Sequence, residues 1–150
     1  MDVFSLVEHF HEVTGLEVQH DPVRTIATHT PLWELRMALV AEEYKEFCDA
    51  MRDGDPVAVA DAICDLIYVL AGTAVSYGLR GDDCFAEVHR SNMSKTTICK
   101  GCRGLGWEYV LNTACPECDG NGRIVIKRAD GKILKPDTYS PADIKSVLYG

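Results

Sequence analysis

The sequence predicts an all-α protein, a four-helix bundle, with a small zinc-binding β/loop insert near its C-terminus. Three observations predict it. Apolar residues recur at helical spacing through four segments before Lys95, and two of those segments open with a capping residue followed by proline. Beyond Lys95 the texture changes to glycine, cysteine and turn residues.

Segment one, 3 to 14, places Val3, Leu6, Val7, Phe10 and Val13 on one side and stops at Gly15, a natural C-terminal cap. The connection "LEVQHDPVRTIATH" follows. Segment two opens with Thr30-Pro31 and runs through "LWELRMALVAEEYKEFCDAMRDG". Segment three opens with Asp55-Pro56 and continues to Gly78. It is apolar nearly all round, which predicts the central, buried helix of the bundle. Segment four, "DDCFAEVHRSNMSK", begins near Asp82. After the cysteine-rich stretch come a β-prone run "RIVIK", a turn at "DGK" and a short helix in "SPADIKSVL" with Ser140 as its expected cap.

A chain of 150 residues holds one full-sized domain, or a smaller domain plus a module. Its N-terminus carries acids and histidines rather than a basic leader, and no run of about 18 consecutive apolar residues occurs, so a soluble cytoplasmic protein with no membrane contact is expected. Four of the seven cysteines stand in CxxC pairs, a pattern that favours metal over disulfides. Cys48, Cys64 and Cys84 read as small buried hydrophobes. The net charge of -8 is uneven: residues 1 to 90 hold 17 acids against 6 bases, residues 91 to 150 hold 6 against 9. An acidic front half repels phosphate unless divalent cations intervene.

The acids on segments two and three are grouped. In "EEYKE", Glu42, Glu43 and Glu46 lie within one angular sector of a helix, and in "DAICD", Asp61 and Asp65 share a face. The glutamates alone would pass for a solvated helix face. Asp61 and Asp65 argue against that, because they interrupt an apolar helix where an unpaired buried carboxylate is costly and no Lys or Arg on that segment neutralises them. Clustered carboxylates on facing helices form an oxygen-rich site suited to Mg²⁺ or Mn²⁺.

With these pieces in order, "EEYKE", "DAICDLIYVLAGTAVSYG" and "VHRSNMSK", joined by "FH" near the N-terminus, an arginine upstream of "EE" and "DGKILKPDTYSPADI" near the C-terminus, the chain resembles the MazG-like all-α nucleoside triphosphate pyrophosphohydrolases, particularly bacterial and phage members. The resemblance covers 1–98 and 127–150, leaving 99–126 as an insert. It implies a metal-dependent hydrolase that cleaves a (deoxy)nucleoside triphosphate between its α and β phosphates to the monophosphate and diphosphate. Implied relatives act on dUTP, dCTP, dGTP or broadly, so the base stays open. By the same resemblance Glu43, Glu46 and Asp65 would bind metal, and Glu42 would be a further ligand or the base that activates water. The family's second pair is commonly ExxD; here Ala62 occupies the glutamate position, and Asp61, one residue earlier, is assigned as a ligand or a support to one.

Charge developing on the leaving diphosphate calls for cations. Lys95 is the first candidate, Asn92 a hydrogen-bond donor, and Lys132, Lys135 and Arg36 further ones; each lysine could equally be a solvated surface residue. His11, His29 and Trp33 could contact base or sugar, or pack in the core, and His89 is read as structural. One unusually apolar helix predicts a homodimer or homotetramer, with a second subunit able to complete the site.

"CKGCRGLG" and "CPECDGNG" form an internal repeat sixteen residues apart, and the unit resembles the CxxCxGxG repeats of the Hsp40 (DnaJ) zinc region. Cys99, Cys102, Cys115 and Cys118 fit a tetrahedral Zn²⁺, with the glycines permitting tight turns around the thiolates. With four protein ligands the zinc is structural rather than catalytic. Within 99 to 126, Lys100, Arg103 and Arg123 balance Glu108, Glu117 and Asp119, so the module lacks a basic footprint for nucleic acid. Trp107 and Tyr109 are aromatics suited to stacking or to clasping another subunit. The competing reading is a zinc-finger nucleic-acid-binding or regulatory protein whose helical part dimerises. The stretch between "SNMSK" and "DGKILKP" is otherwise expected to position Lys132 and Lys135 over a triphosphate.

Overall fold

A computed structural model describes residues 2–108 and 112–150. Among the described residues the elements are α1 (Val3–Thr14), α2 (Pro31–Asp53), α3 (Pro56–Ser76), α4 (Gly81–Met93), β1 (Thr97–Ile98), β2 (Trp107–Glu108), β3 (Thr113–Ala114), β4 (Arg123–Ile124) and α5 (Ile144–Tyr149). Tyr109 lies outside the described residues. The chain packs as two compact units, one running through Cys84 and including Lys145–Gly150, the other Phe85–Ile144.

In the first unit, local chemistry sets the helix ends. The Asp2 carboxylate accepts from the Phe4 N–H (3.0 Å), Thr30 Oγ1 from the Trp33 N–H (3.2 Å) and the Asp55 carboxylate from the Val57 N–H (2.9 Å). Pro31 and Pro56 occupy first turns, where a missing N–H costs nothing. α2 stops at Gly54 in the left-handed conformation (φ 72°), and Asp55 caps α3, so two residues join the helices and force them antiparallel. α3 packs on both α1 and α2. Val7, Ala71 and Val75 form a small core with Phe4 and Val18 against it. The α1–α2 connection is tied to the end of α3 through Gln19 N–H to Val75 O and Val23 N–H to Tyr77 O, both 3.1 Å. The Tyr149 hydroxyl of α5 donates to Val23 O (2.8 Å), and the Arg24 guanidinium lies over its ring.

Three expectations are corrected here. α3 is central, but only Ala62, Ala71, Gly72, Val75 and Ser76 are buried, while Ile63, Ile67 and Leu70 remain exposed. By length and composition α3 is apolar enough to cross a membrane, although Asp61 and Asp65 sit within it. Its apolarity marks surface that this single chain does not cover. Cys64 is exposed and Cys48 and Cys84 are half-buried, so none is a core residue. The C-terminal helix begins at Ile144, and Ser140 is not its cap. Ser140 instead donates its N–H to Ser94 Oγ (2.9 Å) and accepts from Arg90 Nη1 (3.1 Å).

Those bonds belong to the second unit, where the segment before α5 runs along α4. Arg90 also donates to Pro141 O (2.9 Å), and Glu87 accepts from Arg90 and from the Asp143 N–H (2.8 Å). Hydrogen bonds from Arg90 and the Asp143 amide hold the Glu87 carboxyl down to about 2.

Beyond α4 the cysteine repeat builds two antiparallel ribbons, β1 with β4 (Thr97 opposite Ile124) and β2 with β3 (Trp107 opposite Ala114). A shift of sixteen residues carries β1 onto β3 and β2 onto β4, so each ribbon is the image of the other. Cys99 N–H donates to Gly122 O (3.0 Å) and Cys115 N–H to Gly106 O (2.9 Å) under the same operation. Gly106 and Gly122 cannot be replaced without distortion. Both have φ near 70°, and a Cβ on either would stand 2.2 Å from a carbonyl oxygen of the facing repeat.

A folded carboxyl value below the ordinary 4.5 contributes stability that is present above 4.5 and lost as the pH falls through about 2. The Asp143 amide proton resonance is therefore expected to titrate with a midpoint near 2, and Glu87→Gln to speed its hydrogen exchange at pH 7. A midpoint near 4.5 would show that the latch does not form.

Candidate functional site

The carboxylates of α2 and α3 meet electrostatically at Glu43. Its pKa is raised, first by desolvation and then by Glu46, Asp65, Glu42 and Asp61 in that order. Four of the acids singled out in the sequence therefore act on the fifth, Glu43, in the first unit. The helix spacing explains it: Glu42, Glu43 and Glu46 span one turn of α2, Asp61 and Asp65 one turn of α3, and the antiparallel pairing brings those turns together.

Burial is distributed differently from expectation. Asp61 and Asp65 are exposed, so the cost of burying them does not mark the site, whereas Glu43 is half-buried and its Oε2 is enclosed without a hydrogen-bond partner. Ala62, where the ExxD pattern has glutamate, is buried and could not present a carboxylate from this position without refacing the helix. An orphaned carboxylate oxygen on a group that feels four further acids suits a hard divalent cation with oxygen ligands. Among the described residues these carboxylates do not draw together as tightly as the cysteines do. A pocket of about 300 Å³, lined in part by Phe4, Glu8, His20, Val75, Arg80 and Asp82, lies toward the other end of α3 and includes none of the five. The acids form an open face, which suits a large, highly charged ligand better than a small apolar one.

The other sequence candidates scatter. Arg36 and His11 lie in the interior of the first unit, held against each other, and not on the acidic face. Direct contact of either with substrate is therefore corrected to an interior role. Trp33 is half-buried beside His29, the ring centroids 5.1 Å apart. In the second unit Lys95 Nζ donates to Asn92 Oδ1 (2.6 Å), and Lys135 Nζ sits 4.3 Å from the centre of the Tyr139 ring. Lys132 is exposed in the "DGK" turn, where Arg128 N–H donates to its carbonyl (2.8 Å).

The second cluster is unambiguous in geometry. The sulfur atoms of Cys99, Cys102, Cys115 and Cys118 all lie within 4.8 Å of one another, and all four residues are buried. Cys99 and Cys115 sulfurs are 3.9 Å apart, Cys102 and Cys118 3.7 Å. A tetrahedron with metal–sulfur bonds of about 2.3 Å has edges of about 3.8 Å. Gly106 and Gly122 donate their N–H groups to Cys102 and Cys118 sulfur, each at 3.2 Å. Burial pushes the Cys115 thiol up to about 12, while at Cys102 the Gly106 amide and neighbouring thiols outweigh burial and bring it to about 7. Four thiolates so enclosed fit a soft tetrahedral cation.

Sequence reasoning missed two groups here. Gly72 faces Arg36, signalled only by an isolated glycine inside an apolar helix, and Glu87 holds the C-terminal segment, which nothing local to Glu87 announces.

The sequence profile described as phosphoribosyl-ATP pyrophosphohydrolase matches residues 7–92, a span that includes all five carboxylates and ends before the cysteine repeat. No curated protein matches the chain.

A carboxyl whose folded value is raised weakens the fold above that value, and the penalty fades as the pH falls from it to the ordinary 4.5. In metal-free protein, Glu43→Gln is therefore expected to raise Tm at pH 7, with the gain fading toward pH 4. A Tm that falls at pH 7 would mean that Glu43 is not under charge strain.

Proposed function

This chain belongs to the phosphoribosyl-ATP pyrophosphohydrolase family, within the MazG-like all-α superfamily, and on that premise we propose that it is a metal-dependent (deoxy)nucleoside triphosphate pyrophosphohydrolase. The observation that carries the proposal is the convergence of four carboxylates on the desolvated, unpartnered Glu43. In this reading 1–98 with 127–150 form the catalytic domain and 99–126 a zinc-stapled insert.

Glu43, Glu46 and Asp65, with Asp61 as ligand or support, would hold Mg²⁺ or Mn²⁺. An ion held by these carboxylates would supply Lewis-acid chemistry, favouring attack at the α-phosphorus and a more acidic water. Glu42, exposed beside this group, takes the proton as water oxygen bonds to the α-phosphorus. The bond from that phosphorus to the bridging oxygen breaks, and diphosphate leaves with the electron pair. Lys95 and Asn92, joined in one hydrogen bond, supply charge and a donor for the leaving group, with Lys132 and Lys135 as further cations. Trp33 and His29, already paired, offer the nucleobase a stacking surface.

The exposed Ile63, Ile67 and Leu70 on α3 support a homodimer or homotetramer. The cysteine cluster holds zinc structurally. A nucleic-acid-binding role is disfavoured because the module's three bases are matched by three acids.

Incubation with each (d)NTP, and with phosphoribosyl-ATP, in the presence of Mg²⁺ or Mn²⁺ is expected to release a monophosphate product and diphosphate. No turnover of any of them would sink the proposal. Glu46→Gln or Asp65→Asn should lower kcat by at least about 100-fold with the helical circular dichroism kept; wild-type rates in both would displace the metal site. Purified protein should carry one zinc per chain by metal analysis, and Cys102→Ser or chelation should release it and lower Tm.

A further inference from the structure

His11 and Arg36, only 2% and 6% exposed, meet Gly72 where α1, α2 and α3 converge. His11 Nδ1 lies 2.8 Å from Glu17 O, so this nitrogen carries the proton and donates. The other nitrogen, Nε2, is then the acceptor 3.4 Å from Arg36 Nη1. A Cβ on residue 72 would stand 2.5 Å from Arg36 Nη1 and 3.0 Å from His11 Nε2. The guanidinium therefore fits only because α3 has no side chain at this point.

For stability alone this is a poor arrangement. Arg36 Nε has no hydrogen-bond partner among the described residues, and a buried guanidinium is expensive to desolvate. Its place along the helix suggests what the cost achieves. Arg36 and Glu43 are seven residues apart on α2, two turns along one face, and Gly72 and Asp65 are seven apart on α3. In antiparallel helices, contact between Arg36 and Gly72 sets Glu43 opposite Asp65 two turns away. Asp65 does act electrostatically on Glu43. A slip of α3 by one residue would turn Asp65 by about 100° around its helix and away from α2.

We infer that the His11–Arg36–Gly72 contact is a register lock, which fixes α2 against α3 so that Glu43 and Asp65 face each other. Arg36 and His11 are then positioning residues for the carboxylate centre, acting from the interior without touching substrate. The inference rests on the reading of that centre as a divalent-cation site.

The test is Mn²⁺ affinity, measured on zinc-loaded protein without nucleotide by electron paramagnetic resonance of the free ion. Arg36→Met keeps most of the side chain's length but removes the guanidinium, and Gly72→Ala fills the notch that receives it. Both are expected to weaken Mn²⁺ binding by at least about tenfold with helical content retained. Val7→Ala removes buried apolar volume from the same unit and serves as the control for lost stability, with affinity within about twofold of wild type. If Arg36→Met does not fold, Gly72→Ala decides. Wild-type affinity in the folded lock variants would overturn the lock alone, and so would an equal loss in Val7→Ala. A wild-type protein that binds no Mn²⁺ would overturn the cation site and the lock with it.

Discussion

The two-residue link between α2 and α3 is the constraint on which the first unit depends. Gly54 ends one helix in a conformation that ordinary side chains avoid, and Asp55 starts the next by accepting the Val57 N–H. No slack remains for the helices to separate or run parallel. Once they pair antiparallel, the turn bearing "EEYKE" comes to the same end of the helix pair as the turn bearing "DAICD", whatever the charge. The acids repel, and the helices hold them regardless, because the two-residue link and the hydrogen bonds within each helix fix the frame. Glu43 receives most of this strain. A folded frame that keeps like charges together lowers the cost of bringing ligands to a cation.

The second unit solves a different problem with different atoms. Its ribbons are too short to bury a core, and among the described residues its buried hydrophobic cluster is the four cysteines themselves. Soft thiols and hard carboxylates stand on separate units, so in the proposed reading zinc and a magnesium-like ion would be sorted by ligand chemistry. The amides of Gly106 and Gly122 lower the cost of gathering thiolates, as the fixed helices do for the carboxylates.

Much of the frame was legible because its determinants are local. Capping residues, first-turn prolines and the glycine after a helix each act within about four residues, so α1, α2 and α3 fall where the sequence places them. The paired cysteines and their glycines are legible for the same reason. What was not legible depends on distant partners. Apolarity all round α3 says that its surface avoids water, not that this chain covers it, and Ile63, Ile67 and Leu70 stay exposed. Ser140 has the chemistry of a cap, but Ser94 and Arg90, far away in sequence, hold it in a non-helical segment. His11 and Arg36 look like substrate ligands from their chemistry, and the packing of three helices is what encloses them.

The cysteine repeat has the closure that the proposed insert reading needs. Thr97 at its start and Ile124 at its end are cross-strand neighbours, and paired strands stand about 5 Å apart. The chain therefore leaves and returns at nearly one point. Whatever precedes Thr97 and follows Ile124 is joined almost as a short loop would join it, and the loop-closure cost that grows with an open insertion is limited by the ribbon. The repeat also supplies its own closure, because each half provides the strand and the carbonyl that the other half needs. A self-closing module of this kind asks little of the chain on either side of it, which is what the proposed insert reading requires.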